Sequence, residues 1–301
     1  EFATATPTLG GKSNIGNKDL TWETTTQTNI GIDWAMFNSR LNVTIDGYYK
    51  YTKDLLMNVP LPSPYPSIYR NEGEMSNWDL ELAISSVNIE KNDWRWTTDF
   101  NISMNRNKLE RLSLQQVYYY TQTSEALSEF VVRMTPGQPL SQFWGYTALG
   151  VDPETGMVIY EDKNNDGLIN AADKQYIGNA NPLFTAGMTN NISWKGLSLS
   201  AQFSWVGDRW MINNDRYFDE SNGRFMTYNQ SSRLLNRWKN PGDITDIPRH
   251  GEYTEFDSRL LEDASFLRLK NLMLSYSLPS ALLKKTGFIR SLRVYAQGQN
   301  L

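Results

Sequence analysis

The sequence predicts an all-β protein: an antiparallel wall of a transmembrane β-barrel, about eight strands long, with long extracellular loops. Three observations carry this expectation. Period-2 alternation of apolar and polar residues dominates, the connections between alternating stretches are strictly by turns short and long, and aromatic residues gather beside the short ones. Period-2 alternation is the mark of a strand with two unlike faces, and a tilted strand crosses a bilayer in ~9–11 residues.

The first pair of strands places Ile30, Ile32 and Trp34 opposite Asn29, Gly31 and Asp33. A turn at Phe37-Asn38-Ser39-Arg40 leads to Leu41, Val43 and Ile45, interleaved with Asn42, Thr44 and Asp46. The second pair runs through Leu80, Leu82 and Ile84, turns at Lys91-Asn92-Asp93, and returns through Trp96, Phe100, Ile102 and Met104. Arg95, Thr97, Asp99, Asn101, Ser103 and Asn105 are the polar partners on that return. The third pair alternates Phe184, Ala186, Met188, Ile192 and Trp194 with small polar residues. It turns at Lys195-Gly196 and continues through Leu197, Leu199, Ala201, Phe203 and Trp205. Glycine there tolerates the positive φ that a two-residue hairpin demands. The last pair is Leu272, Leu274, Tyr276 and Leu278, then Leu292, Val294 and Ala296, joined across Pro279 to Phe288.

The long connections are expected over 53–75, 107–182 and 207–263. Short turns on one rim and long loops on the other is the layout of an outer-membrane barrel. Trp34, Phe37, Trp94, Trp96, Trp194 and Phe288 all fall beside the short turns, as an interfacial aromatic girdle requires. The second face is Asn, Thr, Ser, Asp and Gln, which suits a wide wet interior better than the filled lumen of a small barrel. The chain opens at Glu1-Phe2-Ala3 and closes at Gly298-Gln299-Asn300-Leu301 inside an alternating stretch, so 1–301 reads as a fragment of one barrel domain.

Composition narrows the chemistry. A net charge of −4 gives no basic face for nucleic acid. With 10 Trp, 16 Tyr and 12 Phe among 301 residues, disorder is not expected. No run of residues is apolar enough for a spanning helix. The absence of cysteine excludes disulfides and thiolate sites, and a single histidine, His250, excludes a multi-histidine metal site.

One motif stands out. Asp162, Asn164 and Asp166 precede Gly167 in the oxygen-ligand spacing of a calcium loop. Leu168 would add a backbone carbonyl, Asn170 a water-mediated contact and Asp173 the closing carboxylate, for a structural calcium ion. The bland reading of the same residues is an Asx/Gly turn without an ion. Asp215, Asp219 and Glu220, or Glu252 and Glu255, could be imagined as an acid–base pair, but solvated loop carboxylates are the better reading. No nucleotide-binding or acyl-transfer motif is found, and no enzyme activity is expected. Trp144, Tyr146, Trp210, Tyr217 and Tyr228 in the long loops are the candidate substrate-contact residues, although packing of the loops against each other or against a partner is the better reading of such rings.

Several stretches resemble the C-terminal half of the barrel of SusC/RagA-type TonB-dependent transporters of Bacteroidota. They are Asn17-Lys18-Asp19-Leu20-Thr21-Trp22-Glu23, Tyr49 to Leu55, Asn71-Glu72-Gly73 and Gly137-Gln138-Pro139-Leu140 leading to Phe143-Trp144-Gly145-Tyr146. The Asp-rich loop continuing to Ile177-Gly178-Asn179 is similar too. So are Asn236-Arg237-Trp238 with Pro241-Gly242-Asp243, Asp263 to Asn271, and Val294 to Leu301. Asp79 stands where the family usually has Gly, at what is expected to be a rim position.

The resemblance implies an outer-membrane wall of roughly 22 strands closed around a plug. It implies import of oligosaccharides or peptides, energised by TonB–ExbBD, with a SusD-like surface lipoprotein over the mouth and membrane lipid around the barrel. The family carries no fixed catalytic residues. The alternative reading is a secreted, calcium-stabilised carbohydrate-binding β-sandwich, with a glycoside hydrolase as a weaker third. The sandwich requires the apolar strand face to be sealed against a second sheet.

Overall fold

The computed structural model describes residues 16–59, 61, 67–112, 118–120, 132–252, 256–284 and 287–301. These fall into two compact units, one comprising 1–111, 182–208 and 265–301, the other 112–181 and 209–264.

The first unit is a single antiparallel sheet. Its strands are β1 (Thr24–Met36), β2 (Leu41–Val59), β3 (Ile68–Lys91), β4 (Trp94–Leu112), β11 (Phe184–Trp194), β12 (Leu197–Gly207), β15 (Phe266–Ser277) and β16 (Arg293–Gln299). They lie side by side in chain order, with β1 and β16 at the edges. Sequential pairing follows from the short turns: Lys195 and Gly196 have φ of 46° and 86°, the mirror-image turn that matches strand twist.

Register decides which residues share a face. Ile32 pairs with Ile45 and Trp34 with Val43, and Ile45 pairs in turn with Leu82. Met188 lies between Phe100 and Phe203, and Leu274 pairs with Ala296. The apolar residues of neighbouring strands therefore form one continuous face. On inner strands, where no sheet edge inflates exposure, Leu80 is 50%, Trp205 48% and Leu274 48% exposed. Among the described residues no second layer seals that face, which removes the sandwich reading and leaves a wall whose apolar side meets hydrocarbon.

The opposite face is cross-linked by polar side chains. Thr44 donates to Asp33 at 2.7 Å, Ser85 to Asp99 at 2.7 Å, Ser200 to Asn191 at 2.7 Å and Gln297 to Asn271 at 2.7 Å. Asp79 belongs here, not at a rim: it lies within β3, is buried, and accepts from Ser103 at 3.1 Å and Asn105 at 3.1 Å.

The expected girdle is present. Trp34, Phe37, Trp94, Trp96 and Trp194 are exposed beside the short turns, and Trp94 stacks on Trp194 at 5.5 Å. Four polar residues interrupt the apolar face just above it. Asn88 donates to Thr98 at 2.7 Å, Thr98 donates to Asn190 at 2.7 Å, and the Trp96 indole N–H also donates to Asn190 at 3.0 Å. Ser86 completes the group by donating to Asn88 at 2.9 Å. Mutual hydrogen bonding is what allows such groups at a lipid-facing position.

One expectation fails. The connection expected over 53–75 is mostly strand, because β2 and β3 stay paired out to Val59 and Ile68. Asp54 has a positive φ of 59°, and the register shifts between Thr52 and Leu55 and again before Leu56. The bulge moves side chains to the other face, so the alternation breaks while the ladder continues. At ~3.3 Å per residue the 24 residues of β3 span about 80 Å, well beyond a bilayer.

If the apolar face meets lipid, a charge at mid-depth is costly only on that face. Ala201→Arg in the full-length protein is expected to lower stability by about 2–4 kcal/mol, whereas Ser200→Arg on the polar face has little effect. Urea unfolding from lipid vesicles checks this; equal losses would sink the facial assignment.

Candidate binding site in the long loops

The second unit holds the two longest connections. Its strands are short: β5 (Tyr118–Tyr120), β6 (Val132–Met134), β7 (Gln142–Gly145), β8 (Ala148–Val151), β9 (Val158–Tyr160), β10 (Gln175–Asn179), β13 (Trp210–Ile212) and β14 (Leu261–Asp263). They form a small sheet in the order β10-β7-β6-β5 and the pairs β8–β9 and β13–β14. A helix, α1 (Asn214–Asp219), follows β13. Its core is Tyr217, Phe256 and Leu260, each no more than 2% exposed, with Phe218, Phe225, Ile177 and Ile212 packed around them.

So little regular structure needs other ties, and one of them is ionic. Asp257 is fully buried, and Arg259 Nη2 donates to its Oδ2 at 2.7 Å. The Tyr160 hydroxyl donates to the same oxygen at 3.0 Å, while Oδ1 accepts the Arg259 backbone N–H at 2.8 Å and caps a 3-10 turn. Burial works against the Arg259 charge, but the Asp257 carboxylate more than offsets it and raises the guanidinium pKa. The neighbouring Ser258 donates from its backbone to Tyr146 O at 2.9 Å and accepts the Ala148 N–H on its hydroxyl at 3.0 Å. This close approach needs Gly145, where a Cβ would lie 2.8 Å from Phe256 O.

Surface turns are held by carboxylates that accept N–H and O–H groups. The Thr155 hydroxyl and the Glu154 N–H hold the Asp152 carboxyl below the usual range, and the N–H groups of Asn240 and Lys239 do the same for Asp243.

The aromatic candidates fall into separate groups. Trp144 is half-buried, edge-on to Tyr176 at 4.9 Å, with the Arg133 guanidinium 4.0 Å from its ring. Tyr146 tilts against Tyr160 at 5.2 Å, and the Lys174 ammonium lies 5.0 Å from its ring. Trp210 is half-buried against Gly178. Tyr217 is in the core, so its ring supports the loop from beneath. Tyr228 is 55% exposed and extends a cluster with Phe218 and Phe225. The sequence reading passes over Phe225, Asn222 and Met226, which sit between recognisable stretches and carry no periodicity.

The Asp-rich loop is closed on itself. Asp162 accepts the N–H groups of Asp166 at 3.2 Å and Gly167 at 2.8 Å, and Asp166 accepts that of Leu168 at 2.8 Å. Asn164 Oδ1 also takes the Asp166 N–H at 3.0 Å. Asn170 accepts from Ala172 N at 2.9 Å, and buried Asp173 takes the N–H groups of Lys163 at 3.1 Å and Asn170 at 2.8 Å. Gly167 has the positive φ, 79°, that the turn needs. Among the described residues no three His, Asp or Glu side chains gather into a metal-holding group. Of the carboxylates considered for acid–base work, Glu220 is taken up by Arg216 at 3.0 Å and Arg233 at 3.1 Å. Glu255 lies outside the described residues, and His250 is exposed.

Comparison with known proteins agrees with the wall geometry. The family model for the TonB dependent receptor-like β-barrel matches residues 2–301. TonB-dependent receptor P3 of Formosa agariphila is 33% identical over 96% of this chain and 30% of its own length. TonB-dependent receptor SusC of Bacteroides thetaiotaomicron is 27% identical over 94% of the chain and 29% of its own. Among solved structures, the RagAB peptide transporter is similar with a TM-score of 0.83 at 35% identity, covering 95% of this chain and 32% of that one. The chain thus spans about a third of the length of these relatives.

Removing the Asp257 carboxylate strands a buried guanidinium, a loss of about 3–5 kcal/mol. Asp257→Ala in the full-length protein is expected to speed proteolytic cleavage within 209–264 while leaving the wall resistant. Cleavage at the unaltered rate would show that the pair does not organise the loop.

Proposed function

The chain belongs to the TonB-dependent receptor-like β-barrel family and forms part of the wall of an outer-membrane barrel; on that premise we propose that the whole protein imports peptides across that membrane. The observation that carries the peptide reading is the likeness to solved peptide transporters, at 35–36% identity and TM-scores of 0.82–0.83. The SusC relative is more distant, at 27%.

In this reading TonB moves a plug that lies outside this chain, and substrate passes along the polar face of the wall. That face suits the role: Asp33, Asp99, Asn191 and Asn271 each already accept a hydrogen bond from a neighbouring side chain. A satisfied polar surface offers a passing solute weak, exchangeable contacts. A SusD-like surface lipoprotein is the proposed partner at the mouth, and TonB–ExbBD the energy source. Oligosaccharide import is the second reading, favoured by the exposed Tyr228 ring, since a wet aromatic face can stack on a sugar.

Deletion of the full-length gene is expected to abolish uptake of labelled oligopeptides, with uptake restored by the intact gene but not in cells lacking TonB. Unchanged peptide uptake together with lost oligosaccharide uptake would replace the first reading with the second. A structural calcium ion in the 162–173 loop is part of the same proposal, motivated by its ligand spacing. Terbium luminescence excited through nearby aromatic rings is expected to rise on titration of the full-length protein. No rise, or a rise that survives Asp162→Ala with Asp166→Ala, counts against the ion.

A further inference from the structure

The polar face of the wall is divided by charge. Asp33, Asp46, Asp79, Glu81 and Asp99 share that face on β1 to β4. The other four strands of the sheet, β11, β12, β15 and β16, contain no Asp or Glu. Their polar face carries hydroxyls and amides instead, with Arg268 opposite Ser204 and Arg293 opposite Ser277. An anion near this wall is pushed from one half and drawn to the other.

Register gathers positive charge at the short-turn end. Arg95 of β4 pairs with Ser193, Ser193 with Ser198, and Ser198 with Ser275, a single row across four strands. Arg293 closes the row from the far side: its Nη2 donates to Ser275 Oγ at 2.8 Å, and Ser275 is buried. Arg95 and Arg293 line one recess of about 310 Å³, with Ser193, Ser198 and Ser200 between them. Thr97 and Asn191 add to its polar lining. Met273 is the one apolar side chain that this face contributes, because Ile192 and Leu199 belong to the lipid side. The donors are not used up. Among the described residues the Ser193 and Ser198 hydroxyls make no hydrogen bond, and Arg293 has no carboxylate at ion-pair distance. Arg95 reaches only Glu90, at 4.0 Å with the two side chains 60% and 59% exposed, a pairing worth little in water.

We propose that this recess binds a carboxylate of the solute in transit, between the guanidinium groups of Arg95 and Arg293. The inference rests on the import reading, in which substrate follows the polar face, and names one contact on that path. Guanidinium groups and serine hydroxyls supply donors and an ionised carboxylate is acceptor-only, so each offers what the other lacks. A neutral solute would meet the hydroxyls but leave both cations without a counter-charge. In peptide import the group is the C-terminal carboxylate, ionised at neutral pH. In oligosaccharide import it is the carboxylate of a uronic acid residue.

The test measures TonB-dependent uptake of labelled Ala-Ala-Ala by cells carrying the full-length protein, as the free acid and as the C-terminal amide. Labelled tri-galacturonate and its neutral counterpart, galactotriose, form the second arm. The acid is expected to enter faster than its neutral partner by about tenfold, the scale of a charge-assisted hydrogen bond. Arg95→Gln with Arg293→Gln should bring that ratio near one, while Arg95→Lys with Arg293→Lys should keep part of it. A ratio within one variant does not depend on how much of that variant folds. A preference in the peptide arm alone assigns the site to the peptide terminus, and one in the sugar arm alone assigns it to the uronate. Equal uptake of acid and neutral probes by the unaltered protein would overturn the site while import stands. So would a ratio that the Gln pair leaves unchanged, which would set the arginines against another part of the protein. Uptake of no probe in either arm would remove the import reading, and the site with it.

Discussion

Backbone hydrogen bonding in hydrocarbon is the constraint from which the rest of this chain follows. Lipid offers no donors or acceptors, so a strand is tolerable there only when both of its edges are paired. That requirement produces one antiparallel sheet, in the order β1-β2-β3-β4-β11-β12-β15-β16, from segments that are scattered along the sequence. Once the ladder is fixed, the side-chain period of two leaves each strand with one face for lipid and one for water. The same accounting reaches the side chains. Asn190, Thr98, Asn88 and Ser86 are on the apolar side, and each is hydrogen-bonded to another member of the group or to Trp96.

How much of this was legible depended on how local the signal was. Hairpins at Lys195-Gly196 and Phe37-Asn38-Ser39-Arg40 are written in adjacent residues, and the alternation on either side sets register without reference to anything distant. Where the ladder bulges at Asp54, a local rule fails, since the side-chain pattern shifts although pairing does not. Asp79 illustrates the same limit. Its place in the interior of β3 depends on Ser103 and Asn105 of the next strand, which sequence position alone does not bring near.

The loops were legible only in outline. Tyr217 and Tyr228 are the same residue type in the same stretch, yet one is core and the other exposed. What separates them is α1, which turns Tyr217 toward Phe256 and Leu260, residues about forty positions away. Asp257 and Arg259 are two apart in sequence and gave no signal, because an i,i+2 pair in a loop is meaningful only once burial is known. Asn222 was silent for a further reason. Its partners are main-chain carbonyls, which have no sequence signature at all.

Asp257 and Asn222 solve one problem in opposite ways. Both are buried polar side chains that pin a loop by bonding to segments far along the chain. At Asp257 both carboxylate oxygens are occupied, and the result is a closed tie. At Asn222 only the donor half is used, so the tie holds the loop while Oδ1 is buried without a hydrogen-bond partner among the described residues. Removing an acceptor from such a position by mutation would be easy in steric terms, but the three carbonyls on its other side demand the amide nitrogen. Loop stability and an unsatisfied acceptor are therefore carried by one residue.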